Sequence, residues 1–206
     1  LSNDRRDGYR TWNDRRRIAA HRAMSPKQRM RLTIEASRAA LRFAQAGGGL
    51  SEARFEPEAV IAALNRAGVR YVLVGGLASG AHGVVRATRD VDLVPAPEAE
   101  NLGALAVVLT ALGARHPIQD RLSADNLAAP SSIKLETDHG EVHVLNRMPG
   151  TPPFGELEAQ ALSVEIEPQV SAPVCSLAHL RQMKRASDRP RDQVDLQELN
   201  ELHGHD

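Results

Sequence analysis

The sequence predicts an α/β (α+β) protein in which a small mixed β-sheet is flanked by helices. Three observations carry this prediction. Short apolar or alternating runs typical of strands recur at residues 70–74, 90–94, 132–136, 141–145, 162–166 and 170–174. Longer stretches with helical spacing lie between and around them, so strand and helix signals alternate. The hydrophobic fraction of 42% in 206 residues is sufficient for one sizeable core.

Composition limits the classes of function. Only 3% of the residues are aromatic, which argues against RNA-recognition modules that stack bases on aromatic side chains. The single cysteine, Cys175, excludes an internal disulfide, fits a reducing compartment and is expected to be a small buried filler. No stretch approaches the roughly 20 apolar residues of a membrane span, and no signal peptide opens the chain. We therefore expect a cytoplasmic protein without a membrane partner.

The charge is zero overall but unevenly distributed. Residues 1–50 carry twelve Arg or Lys against four Asp or Glu, a net charge of +8, which leaves −8 for the remaining residues. A basic segment on an acidic body suggests a polyanionic partner such as RNA, or an acidic protein. The alternative is a basic helix that folds back on the acidic body.

The elements can be predicted in chain order. Residues 1–24 show no clear hydrophobic period and are predicted to form a loose or partly helical arm. A helix then runs to the Gly-Gly-Gly stretch. Its start is marked by Ser25 as N-cap, Pro26 at the first helical position and Gln28 three residues after the cap, which is a capping-box signature.

The central region begins with a helix predicted at 57–67, which leads directly into a strand at 70–74. Gly75 and Gly76 then turn the chain sharply into a short helix that starts near Leu77.

A second strand is predicted at 90–94 and a helix at 97–112, with its leucine and valine side chains facing inward. Residues 113–130 are predicted to be irregular, with a short strand near 116–118.

A β-hairpin is predicted next, with strands at 132–136 and 141–145 joined by a four-residue turn. Alternation places the apolar side chains on one face and four polar ones on the other, namely Lys134, Glu136, Glu141 and His143. In this register Lys134 lies opposite His143 and Glu136 opposite Glu141.

The last region is predicted to contain a loop at 146–154, strands at 162–166 and 170–174, and helices at 177–185 and 190–203. We divide the chain into a basic arm and helix (1–50), a core (51–175) and C-terminal helices that pack on the core (176–206).

Two carboxylates mark the candidate site. Asp90 and Asp92 are one residue apart on a predicted strand, so both side chains point to the same face. They repel each other unless a cation lies between them, and this arrangement suits Mg²⁺. The alternative is that Asp90 caps the strand and Asp92 pairs with Arg86 or Arg89.

The glycine turn that precedes this strand strengthens the metal interpretation. Gly75 and Gly76 would let the backbone approach a phosphate, and Ser79 could add a hydroxyl donor. Carboxylates that bind Mg²⁺ beside such a turn indicate phosphoryl or nucleotidyl transfer.

The run from Gly75-Gly76 to Arg86-x-Thr88-x-Asp90-x-Asp92 resembles the motif of the DNA polymerase β-like nucleotidyltransferase superfamily. The resemblance covers roughly residues 57–203 and points to the toxin branch, the AbiEii/MenT-like and minimal nucleotidyltransferase toxins of toxin–antitoxin systems. It implies a nucleotidyltransferase core fold and transfer of a nucleoside monophosphate from an NTP. It also implies two Mg²⁺ ions held by acids at Asp90 and Asp92. The nucleotide-binding residues implied are Gly75, Gly76, Ser79, Arg86, Thr88 and Arg189.

A later basic and acidic stretch also resembles the toxin branch. By this resemblance Lys184 would contact the triphosphate, and Arg189 and Asp192 would complete or brace the site. The alternative for Lys184 is a solvated helix residue.

One position departs from the superfamily pattern. His143 stands where a third aspartate is expected on the neighbouring strand. It could act as a base or a metal ligand, Glu136 or Glu141 could substitute for the acid, or the acid could be lost. Since imidazole is a poor ligand for Mg²⁺, we take Glu141 as the further metal ligand, or the third acid as dispensable.

The predicted function is that of an Mg²⁺-dependent nucleotidyltransferase, a toxin that modifies tRNA bound through the basic arm. One alternative is the same chemistry on a protein hydroxyl of a cognate antitoxin. Another is a catalytically weak, nucleotide-binding homologue, since His143 replaces the expected acid.

Overall fold

The computed structural model describes residues 15–48, 54–115, 122–130 and 132–205. The strands in these ranges are β1 (Tyr71–Leu73), β2 (Asp90–Pro95), β3 (Ser132–Thr137), β4 (Gly140–Leu145), β5 (Leu162–Glu167) and β6 (Val170–Val174). The helices are α1 (Arg15–Ala23), α2 (Pro26–Ala46), α3 (Pro57–Arg66), α4 (Gly75–Ala81), α5 (Ala99–Ala111), α6 (Ala124–Ala128), α7 (Phe154–Ala159), α8 (Leu177–Ser187) and α9 (Pro190–His203).

The strands form one six-stranded mixed sheet in the order β3-β4-β2-β1-β6-β5. β1 pairs antiparallel with β2 and parallel with β6, and β2 pairs parallel with β4. The hairpins β3–β4 and β5–β6 form the two ends of the sheet. Helices flank this sheet, and the predicted α/β class is confirmed.

Sequence signals located most elements correctly. α2 begins with the predicted capping box, in which the Gln28 N–H donates to Ser25 Oγ at 3.3 Å and the Ser25 N–H donates to the Gln28 side chain at 2.8 Å. The predicted hairpin register is also confirmed, with Lys134 opposite His143 and Glu136 opposite Glu141.

Short helices were missed or misplaced. α4 begins at Gly75, two residues before the predicted start, because both glycines belong to its first turn. α6 lies in the stretch predicted to be irregular and is fixed by a capping box between Ser123 and Asn126. α7 begins at the end of the predicted loop and is held by the buried Leu157. The strand predicted near 116–118 lies outside the described residues.

One aliphatic core joins the regions of the chain. It extends from Met30 on α2 through Leu73 and Leu93 on the central strands to Leu180 and Leu202 on the last two helices. Buried side chains from residues 1–50, 51–175 and 176–206 pack in a single cluster. The division of the chain into these three segments stays a prediction.

The described part of the basic N-terminal region folds back on acidic residues of the body. The side chain of Arg17 on α1 lies 2.7 Å from Glu198 on α9. On α2, Lys27 pairs with Glu165 and Arg38 with Glu58, each at 2.7 Å. These ion pairs neutralise part of the positive charge of residues 1–50. Helix α1, which has no hydrophobic period of its own, is held by tertiary contacts: the Arg17 pair and the hydrogen bonds from Arg22 to the carbonyls of Leu202 and Glu201.

Cys175 is fully buried, and burial raises the pKa of its thiol to about 12. We therefore expect iodoacetamide to leave the native protein unlabelled at about pH 8 and to label the same residue after unfolding in urea. Mass spectrometry of both samples checks this prediction, and equal labelling rates would contradict it.

None of the helices in the described ranges combines the length and the apolar character needed to cross a bilayer.

Candidate active site

Four polar side chains form the centre of the candidate site, two from each of two parallel neighbouring strands. Asp90 on β2 is paired with Glu141 on β4, and Asp92 is paired with His143 two residues further on. Because side chains alternate along a strand, all four lie on one face of the sheet. The valine residues between them, Val91 and Val142, point to the opposite, buried face.

The carboxylate of Asp92 is tied to the glycine turn. Its Oδ2 accepts a hydrogen bond from the Gly76 N–H at 3.3 Å. Gly75 has a φ of +60°, and a Cβ at this position would lie 1.8 Å from Asp92 Oδ2. The sequence predicts that the two glycines let the backbone approach a phosphate. In the structure, the lack of a side chain at Gly75 leaves room for the Asp92 carboxylate. Contact of Gly75 and Gly76 with a triphosphate stays a prediction.

Two hydroxyl groups hold the same region in place. Thr88 Oγ1 donates to Asp90 Oδ1 at 2.7 Å, and the Thr88 N–H donates to Ser37 Oγ at 2.9 Å. Ser79 is fully buried and donates to the Gly75 carbonyl at 2.9 Å. In this conformation both hydroxyls orient the site from within, and their contact with a nucleotide stays a prediction.

His143 faces both aspartates through one ring nitrogen. Its Nδ1 lies 3.2 Å from Asp92 Oδ1 and 3.3 Å from Asp90 Oδ2. The hydrogen bond with Asp92 raises the pKa of His143 above its usual value, and the negative charges of Asp92 and Asp90 add to this against the opposing effect of burial. The second nitrogen, Nε2, is buried and has no hydrogen-bond partner among the described residues.

Three of these side chains present a set of atoms suited to a metal ion. One ligand atom each from Asp90, Glu141 and His143 lies within 4.8 Å of the others. The predicted metal ligands were Asp90, Asp92 and Glu141; the structure brings Asp90 and Glu141 together with His143, while Asp92 binds Gly76. Glu136 is exposed at the outer strand, opposite Glu141.

A second charged cluster lies where α8 and α9 meet the segment before β2. Asp195 Oδ1 and Oδ2 accept from Arg86 Nε and Nη2, both at 2.7 Å, and Oδ2 accepts from Lys184 Nζ at 2.6 Å. Lys184 also donates to Asp192 at 2.8 Å. The Lys184 side chain is only 5% exposed, so the alternative that it is a solvated helix residue is wrong. Arg189 lies at the exposed start of α9.

Asp195 was not identified from the sequence. The available signal was its spacing, because residues three apart on a helix share a face, and Asp195 follows Asp192 by three positions. Its side chain is 1% exposed and neutralises two cations from different parts of the chain.

Arg86 connects the two clusters electrostatically. Burial opposes its charge, but the hydrogen bond with Asp195 and the charges of Asp195, Asp192 and Asp90 raise the pKa of Arg86 above its ordinary value. The Arg86 side chain is 24% exposed, so part of it reaches solvent, and its charge interacts with that of Asp90.

The charged cluster predicts acid sensitivity. Burial favours the neutral form of Asp195, but the hydrogen bond from Arg86 and the charge of Lys184 lower the pKa of Asp195 below its usual value, and the pKa of Asp192 is lowered similarly. Such carboxylates stabilise the folded state above the unfolded pKa of about 3.9, and this contribution is lost as the pH falls through the folded pKa.

We therefore expect the unfolding free energy to fall as the pH drops below about 4, and to fall less in Asp195→Asn. Urea titrations across this range check the prediction, and parallel losses in both proteins would contradict it.

Two surface clefts lie away from the carboxylates. One of about 580 Å³ is lined by α8 and α9 and the segment after α9, and one of about 360 Å³ lies between α2, α3 and the β5–β6 turn. Neither is lined by Asp90, Asp92, Glu141 or His143, so the candidate site lies on a face of the sheet outside both clefts.

Comparison with protein-family models and with curated proteins finds no match. Among solved structures, the chain is similar to the solution structure of the antibiotic-resistance factor ANT(2'')-Ia. The two chains are 14% identical over 68% of this chain and 78% of that chain, with a TM-score of 0.47. A likeness at this level concerns the fold alone, and function has to be argued from the side chains of this chain.

Proposed function

We propose that this protein is a metal-dependent nucleotidyltransferase that moves a nucleoside monophosphate from an NTP to an acceptor hydroxyl. The observation that carries the proposal is the paired arrangement of Asp90 and Asp92 beside Glu141 and His143 on one face of the sheet. Thr88 and Gly76 each hold one oxygen atom of the two aspartates. The other two oxygens, Asp90 Oδ2 and Asp92 Oδ1, face His143 Nδ1, and a cation would bind among these three atoms.

The donor set fits a divalent metal ion. Asp90 and Glu141 supply carboxylate oxygens, and His143 supplies a nitrogen within the same 4.8 Å group. A bound ion would neutralise charge on the phosphate oxygens and polarise the phosphorus for attack.

The cations of the second cluster have different parts in this proposal. Arg86 is the partly exposed cation next to Asp90, and we assign it the contact with the triphosphate. Lys184 is buried between two carboxylates, so its part is to hold α8 against α9 and to keep Asp195 in place for Arg86. Asp192 has the same structural role, through its hydrogen bond with Lys184. The contact of Arg189 with the nucleotide stays a prediction.

We propose tRNA as the acceptor and a toxin–antitoxin system as the setting, with the reaction in the cytoplasm. The net charge of +8 in residues 1–50, with Arg31 and Arg42 exposed on α2, supports a nucleic-acid acceptor. The toxin–antitoxin setting rests on the resemblance of the motif from Gly75 to Asp92. The ion pairs of Arg17, Lys27 and Arg38 with the body use part of this charge. An acidic protein partner, such as an antitoxin modified on a hydroxyl, is the second candidate acceptor.

The test is transfer of label from each of the four α-labelled NTPs to total tRNA or to a co-purified partner protein, with Mg²⁺ or Mn²⁺ present. We expect label on RNA, lost in Asp92→Asn and retained in Asp138→Asn. The control replaces an exposed carboxylate paired with Arg115 on the hairpin turn. If the label appears on the partner protein, the acceptor is the antitoxin and not tRNA.

His143 motivates a further candidate, a nucleotide-binding homologue with weak or absent turnover. Under that candidate, calorimetry would detect NTP binding while no acceptor becomes labelled. Transfer in His143→Asp but not in the natural protein would establish it. Label transfer by the natural protein would reject it, and absence of both binding and transfer would reject the nucleotidyltransferase proposal itself.

A further inference from the structure

We infer that the metal site of this protein selects a first-row transition ion, with Mn²⁺ as the probe, over Mg²⁺ by a margin that His143 creates. This inference concerns the identity of the ion and rests on the proposed function only in placing the site. It is tested by metal binding in the absence of nucleotide, so its failure is distinguishable from an absence of transferase activity.

The first step is the composition of the donor set. Asp90 and Glu141 supply oxygen and His143 supplies nitrogen, all within 4.8 Å of one another. Mg²⁺ takes oxygen ligands almost exclusively and keeps several waters, whereas imidazole is a normal ligand of transition ions. Replacing one of three oxygen ligands by nitrogen therefore weakens Mg²⁺ binding more than Mn²⁺ binding.

The second step is the separation of the donor atoms. His143 Nδ1 lies 3.3 Å from Asp90 Oδ2. Two ligands about 2.1 Å from one ion and at right angles to each other lie about 3 Å apart. The observed separation is close to that of neighbouring ligands on a single ion, which would bind in place of the Nδ1 proton that His143 shares with Asp92.

The third step is the fixed position of the ring. His143 lies on β4 between its strand neighbours Asp92 and Lys134, and its side chain is 24% exposed. Nε2 is buried without a hydrogen-bond partner among the described residues, so only Nδ1 faces the carboxylates. The protein thus holds an imidazole nitrogen against two acids, at the position where an oxygen ligand would suit Mg²⁺ better.

A neighbouring cation adds to this preference. Lys134 Nζ lies 2.6 Å from Glu141 Oε2 and offsets part of the negative charge of that ligand. Mg²⁺ is usually held by one or two carboxylates and by waters, so a carboxylate that is partly neutralised binds it less well. A site in which Glu141 is paired with lysine and His143 is the third donor relies more on the metal–nitrogen bond.

The experiment measures binding of Mn²⁺ alone to the full chain by the loss of the free-ion EPR signal, and binding of Mg²⁺ by its displacement of Mn²⁺. Since most sites prefer Mn²⁺ to some degree, the informative quantity is the ratio of the two dissociation constants in the natural protein against that in His143→Asp. We expect this ratio to move toward Mg²⁺ by at least about tenfold in the variant.

His139→Asn is the matched control, because His139 lies in the same hairpin but pairs with Glu56 outside the donor set. Its ratio should equal that of the natural protein. An unchanged ratio in His143→Asp, or absence of Mn²⁺ binding by the natural protein, would overturn the inference.

A second measurement covers the case in which His143→Asp does not fold. Pulsed EPR of Mn²⁺ bound to the natural protein reports coupling to a directly ligated nitrogen. Coupling from one imidazole nitrogen is the expected result, and a spectrum with oxygen ligands only contradicts the inference.

Discussion

Replacing Asp195 by alanine is expected to lower the unfolding free energy by about 3–5 kcal/mol, the cost of removing one partner from a buried charge network. Asp195 is 1% exposed and binds Arg86 through two hydrogen bonds and Lys184 through a third. After the substitution, Asp192 still faces Lys184, but Arg86 keeps no carboxylate within ion-pair distance among the described residues.

Urea denaturation of the natural protein and of Asp195→Ala measures this loss. Glu165→Ala is the matched control, because it breaks the Lys27–Glu165 pair, whose side chains are 42% and 41% exposed. An exposed pair contributes less than about 1 kcal/mol. Equal losses in the two variants would show that Asp195 is not the buried anchor described above.

Replacing Gly75 by alanine is expected to reduce the proposed nucleotidyl transfer by about a hundredfold or more, the scale of loss when catalytic groups move by 1 Å. A Cβ at Gly75 would lie 1.8 Å from Asp92 Oδ2 and 2.8 Å from Asp92 Cβ. Rotation of the carboxylate alone does not relieve the second contact, so the Asp92 side chain or the start of α4 has to shift. Activity assays with labelled NTP measure the effect.

Gly68→Ala separates this steric effect from backbone strain. Gly68 has a φ of +67°, close to the +60° of Gly75, but a Cβ at Gly68 meets no atom within 4 Å. Both variants are expected to lose about 1–2 kcal/mol of stability from the left-handed conformation. The transfer activity of the folded protein should fall in Gly75→Ala and stay at the natural level in Gly68→Ala. Similar activity in both variants would contradict the assigned contact between Gly75 and Asp92.

The geometry of the site was largely predictable where short-range rules apply. Strand alternation placed Asp90 and Asp92 on one face, and the turn length fixed the hairpin register that sets Glu141 and His143 on the shared face. Neither inference requires knowledge of how distant parts of the chain pack.

The remaining features depend on contacts that sequence patterns do not encode. The pairing of Arg86 with Asp195 joins residues 109 positions apart and follows from the docking of α9. The requirement for glycine at position 75 likewise follows from a tertiary contact, because the Asp92 side chain occupies the space where a Cβ would lie. The short helices α6 and α7 were not predicted, because each spans too few residues to show a helical hydrophobic period. Each is packed through one buried leucine.

The charge network also bears on the order in which the protein folds. The sheet can assemble from residues that precede α8, but Arg86 meets its counter-charge only when α9 arrives, and Arg17 of α1 meets Glu198 across 181 positions. Contacts of such sequence separation close large loops and form late. Docking of α9 is therefore expected to be a late step in folding, so that in a partly folded chain Arg86 lacks its ion-pair partner Asp195 while it lies close to Asp90.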